Sequence, residues 1–336
     1  MTNLPFLSLF SFLLIFGSLI SMSSSHWFML WVGLELNLMG FIPVMVQWGR
    51  GEEVESGVKY FLVQSLGSAI ILMVSLFFFY FFGTWEIISE SMGNLSNMIL
   101  LGVLLKMGAA PLHFWLPSVS AGISWMSISI LFTWQKLVPL FILSYFIIIS
   151  KFCMIFLVVA NGIIGGVGGI NQTSLRSLLA YSSIVHLGWL LGASLVDSQL
   201  LFLYFFVYSL ISVSIFIFLH SQNVSFNNQF FSIFMNMKSN YFFMFLMILS
   251  MGGMPPMVGF FMKWVVLMSL VLENYIFIAF ILVMSSTLSL YYYLNLCFSM
   301  LLSLKSWKYL FTKKMGLNMI LSLIMNLMGI VILWFF

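Results

Sequence analysis

Charge is what this chain has least of. Lysine and arginine number 12 and aspartate and glutamate 8 in 336 residues, 6% charged in all. A soluble domain carries roughly 25%, so a water-facing surface of ordinary composition is excluded. Cysteine is nearly absent, with Cys153 and Cys297 both in apolar stretches. That pattern excludes a disulfide scaffold and reads as two buried thiols rather than a pair. Proline occurs 7 times, so each one inside an apolar run is informative. No CxxC, HExxH, GxGxxG or Walker spacing occurs, which removes every familiar signature for nucleotide, flavin, haem, metal or iron–sulfur binding. The net charge of +4 is spread along the chain, which gives no footprint for nucleic acid.

What remains is apolar. Hydrophobic residues make up 62% of the chain and mean hydropathy is +1.15. The expected fold class is an all-α polytopic membrane protein. The first run, Pro5 to Met22, has no basic flank or small-residue cleavage site and reads as a first span rather than a leader. Eleven spans are expected, near 4–23, 26–48, 58–82, 96–119, 121–147, 152–170, 173–195, 198–220, 240–272, 275–303 and 316–336. Together they form a single transmembrane domain, 1–336, with a core over about 25–300 and a C-terminal helix at about 316–336. Arg50 with Glu52, Glu53 and Glu55 reads as a solvated loop.

Two of these spans carry helix breakers. Gly108-Ala109-Ala110-Pro111 interrupts the fourth, and Gly252-Gly253-Met254-Pro255-Pro256 interrupts the ninth. Proline lacks an N–H and glycine weakens a helix. Inside a bilayer such a break persists where protein or water satisfies the freed groups. Paired broken helices in two halves of a chain point to a transporter-type inverted repeat.

With eleven spans, Arg50, Lys59, Arg176, Lys238, Lys305, Lys308, Lys313 and Lys314 fall on the side of the N-terminus. Lys151 alone falls opposite, beside Glu86, Glu90, Asp197 and Glu273. The positive-inside rule then puts the N-terminus on the matrix or cytoplasmic side and the C-terminus across the membrane. The lysines near the C-terminus fit anionic headgroups or a neighbouring subunit.

Four charges stand inside apolar runs: Glu35, Lys106, Lys136 and Lys263. A charge at the bilayer centre costs at least ~2.5–3.5 kcal/mol on insertion scales, so it faces a protein interior or a wet cavity. At ~1.5 Å per residue, Glu35 and Lys106 lie ~14–15 Å deep, near the midplane. Lys106 precedes its break, where carbonyls without helical partners and the helix dipole favour a cation. Lys263 follows its break, in the second half-helix, where that argument does not apply. Glu35 reads either as a structural partner of a lysine or as a relay carboxylate. Lys136 reads either as a proton carrier or as the partner of a lipid headgroup or another subunit. His186, also near mid-depth, suits a relay because imidazole both takes and gives protons near neutral pH; a satisfied buried polar group is the alternative. His113 follows the first break, as a carbonyl cap or a relay member. His26 and His220 sit at span edges.

A set of stretches in order resembles a known family. They are Trp31-Val32-Gly33-Leu34-Glu35-Leu36-Asn37, Lys59-Tyr60-Phe61-Leu62-Val63-Gln64, Leu105 to Pro117, Thr133-Trp134-Gln135-Lys136, Asn171 to Arg176, Ala180 to Trp189, and Gly252 to Pro256 with Gly259, Phe260 and Lys263. The family is the subunit 2 group of mitochondrial NADH:ubiquinone oxidoreductase, respiratory complex I, one of its antiporter-like membrane-arm families. The resemblance covers about residues 25–300 and fits the shortened animal form, which lacks three N-terminal helices. It departs at Ser177, where many relatives carry a second basic residue after Arg176.

The resemblance implies a proton-translocating subunit whose file runs through Glu35, Lys106, Lys136, His186 and Lys263, with Glu35 paired to Lys106 and His113 a possible member. It implies no cofactor in this chain; FMN, iron–sulfur clusters and ubiquinone belong to the rest of the complex. It implies a hetero-oligomer with other membrane-arm subunits and lipids, without nucleic acid, in the mitochondrial inner membrane. The competing readings are a stand-alone cation/proton antiporter subunit and a passive membrane scaffold.

Overall fold

In a computed structural model, residues 4–87, 93–146, 151–222, 238–255 and 257–302 are described. They form thirteen helices. Contacts divide the chain into two compact units, Met1–Met154 and Ile155–Phe336.

The first unit holds α1 (Leu4–Ser23), α2 (Trp27–Met45), α3 (Gly51–Phe82), α4 (Gly93–Met107), α5 (Trp115–Gly122), α6 (Trp125–Phe132) and α7 (Trp134–Phe146). α1 and α2 pack with their backbones in contact. A Cβ on Gly33 would lie 2.7 Å from the Gly17 carbonyl oxygen, so a larger side chain there would push the helices apart. This approach sets the position of Glu35 and Asn37 on the next turn of α2. The start of α2 is tied to the segment after α3, since the Trp27 N–H donates to the Trp85 carbonyl at 2.9 Å.

α3 begins at Gly51, seven residues before the expected span, so the Arg50–Glu55 segment is not a solvated loop. Two carboxylates in its first turn suit the positive end of the helix dipole. Glu53 is buried and accepts the Trp48 N–H at 3.1 Å, while Glu55 stays exposed and pairs with Lys59 at 2.6 Å. The expected fifth span is bent into α6 and α7 at Thr133, whose hydroxyl donates back to the Ser129 carbonyl at 2.6 Å. A Thr side chain that competes for a backbone carbonyl in this way bends helices.

The second unit holds α8, which begins at the boundary (Lys151–Ile170), α9 (Leu175–Ser194), α10 (Ser198–Gln222), α11 (Lys238–Gly252), α12 (Val258–Leu272) and α13 (Ile276–Leu302). α9 is the buried centre, with eighteen of its residues enclosed. Its entrance shows what Ser177 does. Ser174 caps the helix by accepting the Ser177 N–H, and the two hydroxyls bond each other. His26 and His220 are exposed at helix ends; both cysteines are free thiols, Cys297 buried as expected and Cys153 only half-buried.

Among the described residues, eight segments are long and apolar enough to cross a membrane, one of them the bent α6–α7 pair, and the broken pairs contribute shorter apolar helices. Large apolar side chains such as Phe12, Leu66, Phe152 and Phe277 are exposed along them, as expected for surfaces that meet lipid or protein rather than water. The expected eleventh span, Pro256 and Lys305, Lys308, Lys313 and Lys314 lie outside the described residues.

Candidate functional site

The two breaks are built the same way. α4 ends at Met107, and Gly108 takes φ +68°. The Gly108 N–H then donates to the Leu105 carbonyl at 3.3 Å and the Ala109 N–H to the Leu104 carbonyl at 3.1 Å. α11 ends at Gly252, and Gly253 takes φ +79°. Its N–H donates to the Ser250 carbonyl at 3.2 Å, and the Met254 N–H to the Leu249 carbonyl at 3.2 Å. This is one helix-ending motif used twice, and glycine at the left-handed position makes it possible.

The breaks differ in what completes them. In the first, Gln64 Nε2 donates to the Lys106 carbonyl at 3.2 Å, and Trp115 Nε1 to the Leu105 carbonyl at 3.0 Å. The carbonyls near Lys106 are therefore already partnered by neutral donors, and the expectation that bare carbonyls attract its ammonium is corrected. In the second, Lys263 Nζ itself donates to the Gly252 carbonyl at 3.0 Å. Although Lys263 belongs to α12, its charge sits at the C-terminal end of α11. The dipole argument set aside from the sequence therefore applies to it, through the other half-helix.

In the first unit, Lys106 is 5% exposed and Lys136 2% exposed, while Glu35 is half-buried. Glu35 lies close enough to act on Lys106 electrostatically, but among the described residues the two form no direct ion pair. Lys136 stands in the first turn of α7 with Nζ 5.4 Å from the centre of the Phe132 ring, a cation–π arrangement across the bend. Its burial within this chain removes the reading in which it reaches a lipid headgroup. His113 is buried in the first break, with Nδ1 3.2 Å from the Pro111 carbonyl oxygen, which fits the carbonyl-cap reading.

A small cavity lies beside Lys106, and Gln135, the chain neighbour of Lys136, also lines it. Asn37, Tyr60, Gln64 and Pro139 line it as well. Gln135 Nε2 donates to Asn37 Oδ1 at 3.0 Å, and the Tyr60 hydroxyl donates to Gln135 Oε1 at 3.3 Å. Pro139 has no N–H to offer the Gln135 carbonyl one turn back. The cavity, about 10 Å³ measured for a water-sized sphere, is close to the lower limit for one water. It is lined by enough polar groups to hold it.

Sequence reasoning gave no role to Asn37, Tyr60, Gln64 or Gln135. They were visible as uncharged polar groups at membrane depth, each within a stretch that carries the family resemblance. Their convergence from three helices was not.

In the second unit, His186 on α9 is 7% exposed, and its Nδ1 lies 2.9 Å from the Tyr204 hydroxyl. The Tyr208 ring lies 4.9 Å away, centre to centre. A second small cavity is lined by His186, Tyr204, Tyr208, Ser250, Gly259 and Met262, so it opens on the residues either side of the second break. Lys263 Nζ stands 6.0 Å from the ring centre of Trp189, about one turn along α9 from His186. Tyr204 and Tyr208 are the residues missed here. Each unit thus holds a broken helix, a buried lysine at or near the break, and a small cavity close by, polar in the first unit and largely apolar in the second.

Residues 24–289 match the family model described as NADH:quinone oxidoreductase/Mrp antiporter, transmembrane. The chain is similar to the NADH-ubiquinone oxidoreductase chain 2 of Anopheles gambiae, 40% identical over 96% of this chain and 94% of that one. It is likewise similar to that of Locusta migratoria, at 38% over 88% and 86%. Among solved structures, a chain of the respiratory complex I from Thermus thermophilus with bound aureothin superposes with a TM-score of 0.85, covering 98% of this chain and 79% of that one at 22% identity. A chain of the Mrp complex from Dietzia sp. superposes with a TM-score of 0.73, covering 83% and 57% at 17% identity. These two likenesses speak for the fold.

Proposed function

Because this chain belongs to the NADH:quinone oxidoreductase/Mrp antiporter transmembrane family, we propose that Glu35, Lys106, Lys136, His186 and Lys263 are the groups that carry protons through it. It is a multi-pass proton-translocating subunit in the membrane arm of respiratory complex I, working among other subunits of that arm. Electron transfer from NADH to ubiquinone takes place elsewhere in the complex, and this chain supplies proton movement.

The observation that carries the residue assignment is the burial of three lysines at 5%, 2% and 5% exposure, with Lys106 and Lys263 at the two helix breaks and Lys106 lining a polar cavity. A buried charge is costly unless something offsets it. A scaffold has no need of three such charges, and leucine at those positions would remove the cost. Glu35 and Lys106, each within the other's field, form a pair in which a change of charge on one alters the cost of charge on the other. That coupling is what a pump driven from outside the chain requires. The stand-alone antiporter reading is disfavoured by close similarity along most of the chain to complex I relatives, against a likeness in fold alone to an Mrp chain.

We further infer the mitochondrial inner membrane, with the N-terminus in the matrix and the C-terminus across it. The distribution of basic residues supports this orientation.

Lys136→Met tests the assignment. Methionine keeps length and packing but removes the exchangeable charge, so the complex should assemble on a native gel while protons pumped per NADH oxidised fall. Normal pumping by an assembled variant would remove Lys136 from the path. Failure to assemble would favour the scaffold reading.

A further inference from the structure

Tyr204 is not among the groups that carry charge at membrane depth, yet its hydroxyl makes a buried contact with a member of the proposed path. The oxygen lies 2.9 Å from His186 Nδ1, and the tyrosine is 2% exposed. Tyr208, one turn further on the same helix, lies against the imidazole at 4.9 Å between ring centres. Among its contacts, the imidazole thus meets the Tyr204 hydroxyl and the Tyr208 ring, both from α10. It borders a cavity whose far side is Ser250, Gly259 and Met262 at the second break.

We propose that Tyr204 is a positioning residue for proton transfer at His186: its hydroxyl engages Nδ1 and so assigns exchange to Nε2. The proposal rests on the relay role given to His186 above. A histidine that uses both nitrogens for exchange must turn its ring or shift its tautomer between uptake and release. Anchoring one nitrogen fixes tautomer and orientation. In the working cycle Nδ1 keeps its hydrogen and donates it to the tyrosine oxygen. Nε2 takes one proton to give the imidazolium, then gives that proton up and returns to the neutral ring. The hydroxyl oxygen accepts from Nδ1 in both states, so its bond need not break during transfer. A phenol suits this task because it holds its own proton through the cycle.

The experiment uses the assembled complex in its native membrane and compares Tyr204→Phe, His186→Gln and the double variant. Phenylalanine keeps the ring and removes only the hydroxyl; Tyr204→Leu serves if the first variant fails to assemble. Tyr204→Phe should slow proton pumping roughly two- to ten-fold, the range set by one lost hydrogen bond, and raise the solvent deuterium isotope effect on pumping. The double variant should pump no more slowly than His186→Gln alone, because Tyr204 acts through His186. Tyr291→Phe, on the exposed face of α13, controls for loss of a hydroxyl and should pump normally. An additional loss in the double variant would mean a packing role and overturn the proposal. Normal pumping by Tyr204→Phe, with His186→Gln impaired, would overturn the positioning role and leave the relay intact. Normal pumping by His186→Gln would remove the relay role and this proposal together.

Discussion

At the scale of single residues, neutral polar groups surround the one charged side chain that lines the first unit's cavity. Gln135 accepts from Tyr60 and donates to Asn37, so its amide is held in one orientation beside the cavity that Lys106 also lines. A side chain fixed at both ends presents its remaining hydrogen-bonding capacity in a defined direction. Gln135→Leu would leave the Tyr60 hydroxyl and the Asn37 oxygen without this partner, at roughly 1–3 kcal/mol for each buried group. We expect the complex to assemble with lower thermal stability and to pump more slowly. Unchanged pumping with the stability loss would reduce this network to a structural one. Glu53 is also fixed by a buried contact, away from the proposed path. Its burial and its bond to the Trp48 N–H were hidden in the sequence by two neighbouring carboxylates of identical chemistry. Which of three glutamates turns inward depends on the helix phase, and that phase depends on where α3 starts.

At the scale of elements, the repeated helix ending is the main feature. Gly108 and Gly253 adopt positive φ, a conformation that costs a residue with a Cβ about 1–2 kcal/mol. Gly253 has a second constraint, since a Cβ there would lie 3.0 Å from Lys263 Nζ. Gly49, with φ +63° and nothing within 4 Å, is a built-in control for the first cost alone. Gly49→Ala should therefore lower thermal stability modestly and leave pumping intact. Gly253→Ala should lower both thermal stability and pumping, because it also pushes the Lys263 ammonium away from the Gly252 carbonyl. Equal effects of the two substitutions on pumping would show that this lysine contact does not matter to transport. The breaks were legible because glycine and proline punctuate backbone in any context. The bend at Thr133 was not, since threonine bonding back to a carbonyl leaves no distinctive spacing.

At the scale of the whole molecule, the basic loops should face the matrix. A protease-cleavable tag at the N-terminus is expected to be protected in intact mitochondria and in mitoplasts, and cut only after the inner membrane is opened. Cleavage in mitoplasts would reverse the inferred orientation. Composition alone determined that this is a helical membrane protein. Scarce charge and long apolar runs leave backbone groups in lipid no partner other than their own helix. The ordered stretches around Glu35, Lys106, Lys136, His186 and Lys263 determined the family, because rare charges at membrane depth are informative one by one. Tertiary structure alone decided which groups meet. The approach of Gln135, Asn37 and Tyr60, the hold of Tyr204 on His186, and the reach of Lys263 back to α11 join residues on different helices. Spacing along one helix reports which residues share a face. Which face meets which partner depends on how helices pack, and in lipid that packing turns on small residues such as Gly33 and on polar contacts rather than on hydrophobic patterning.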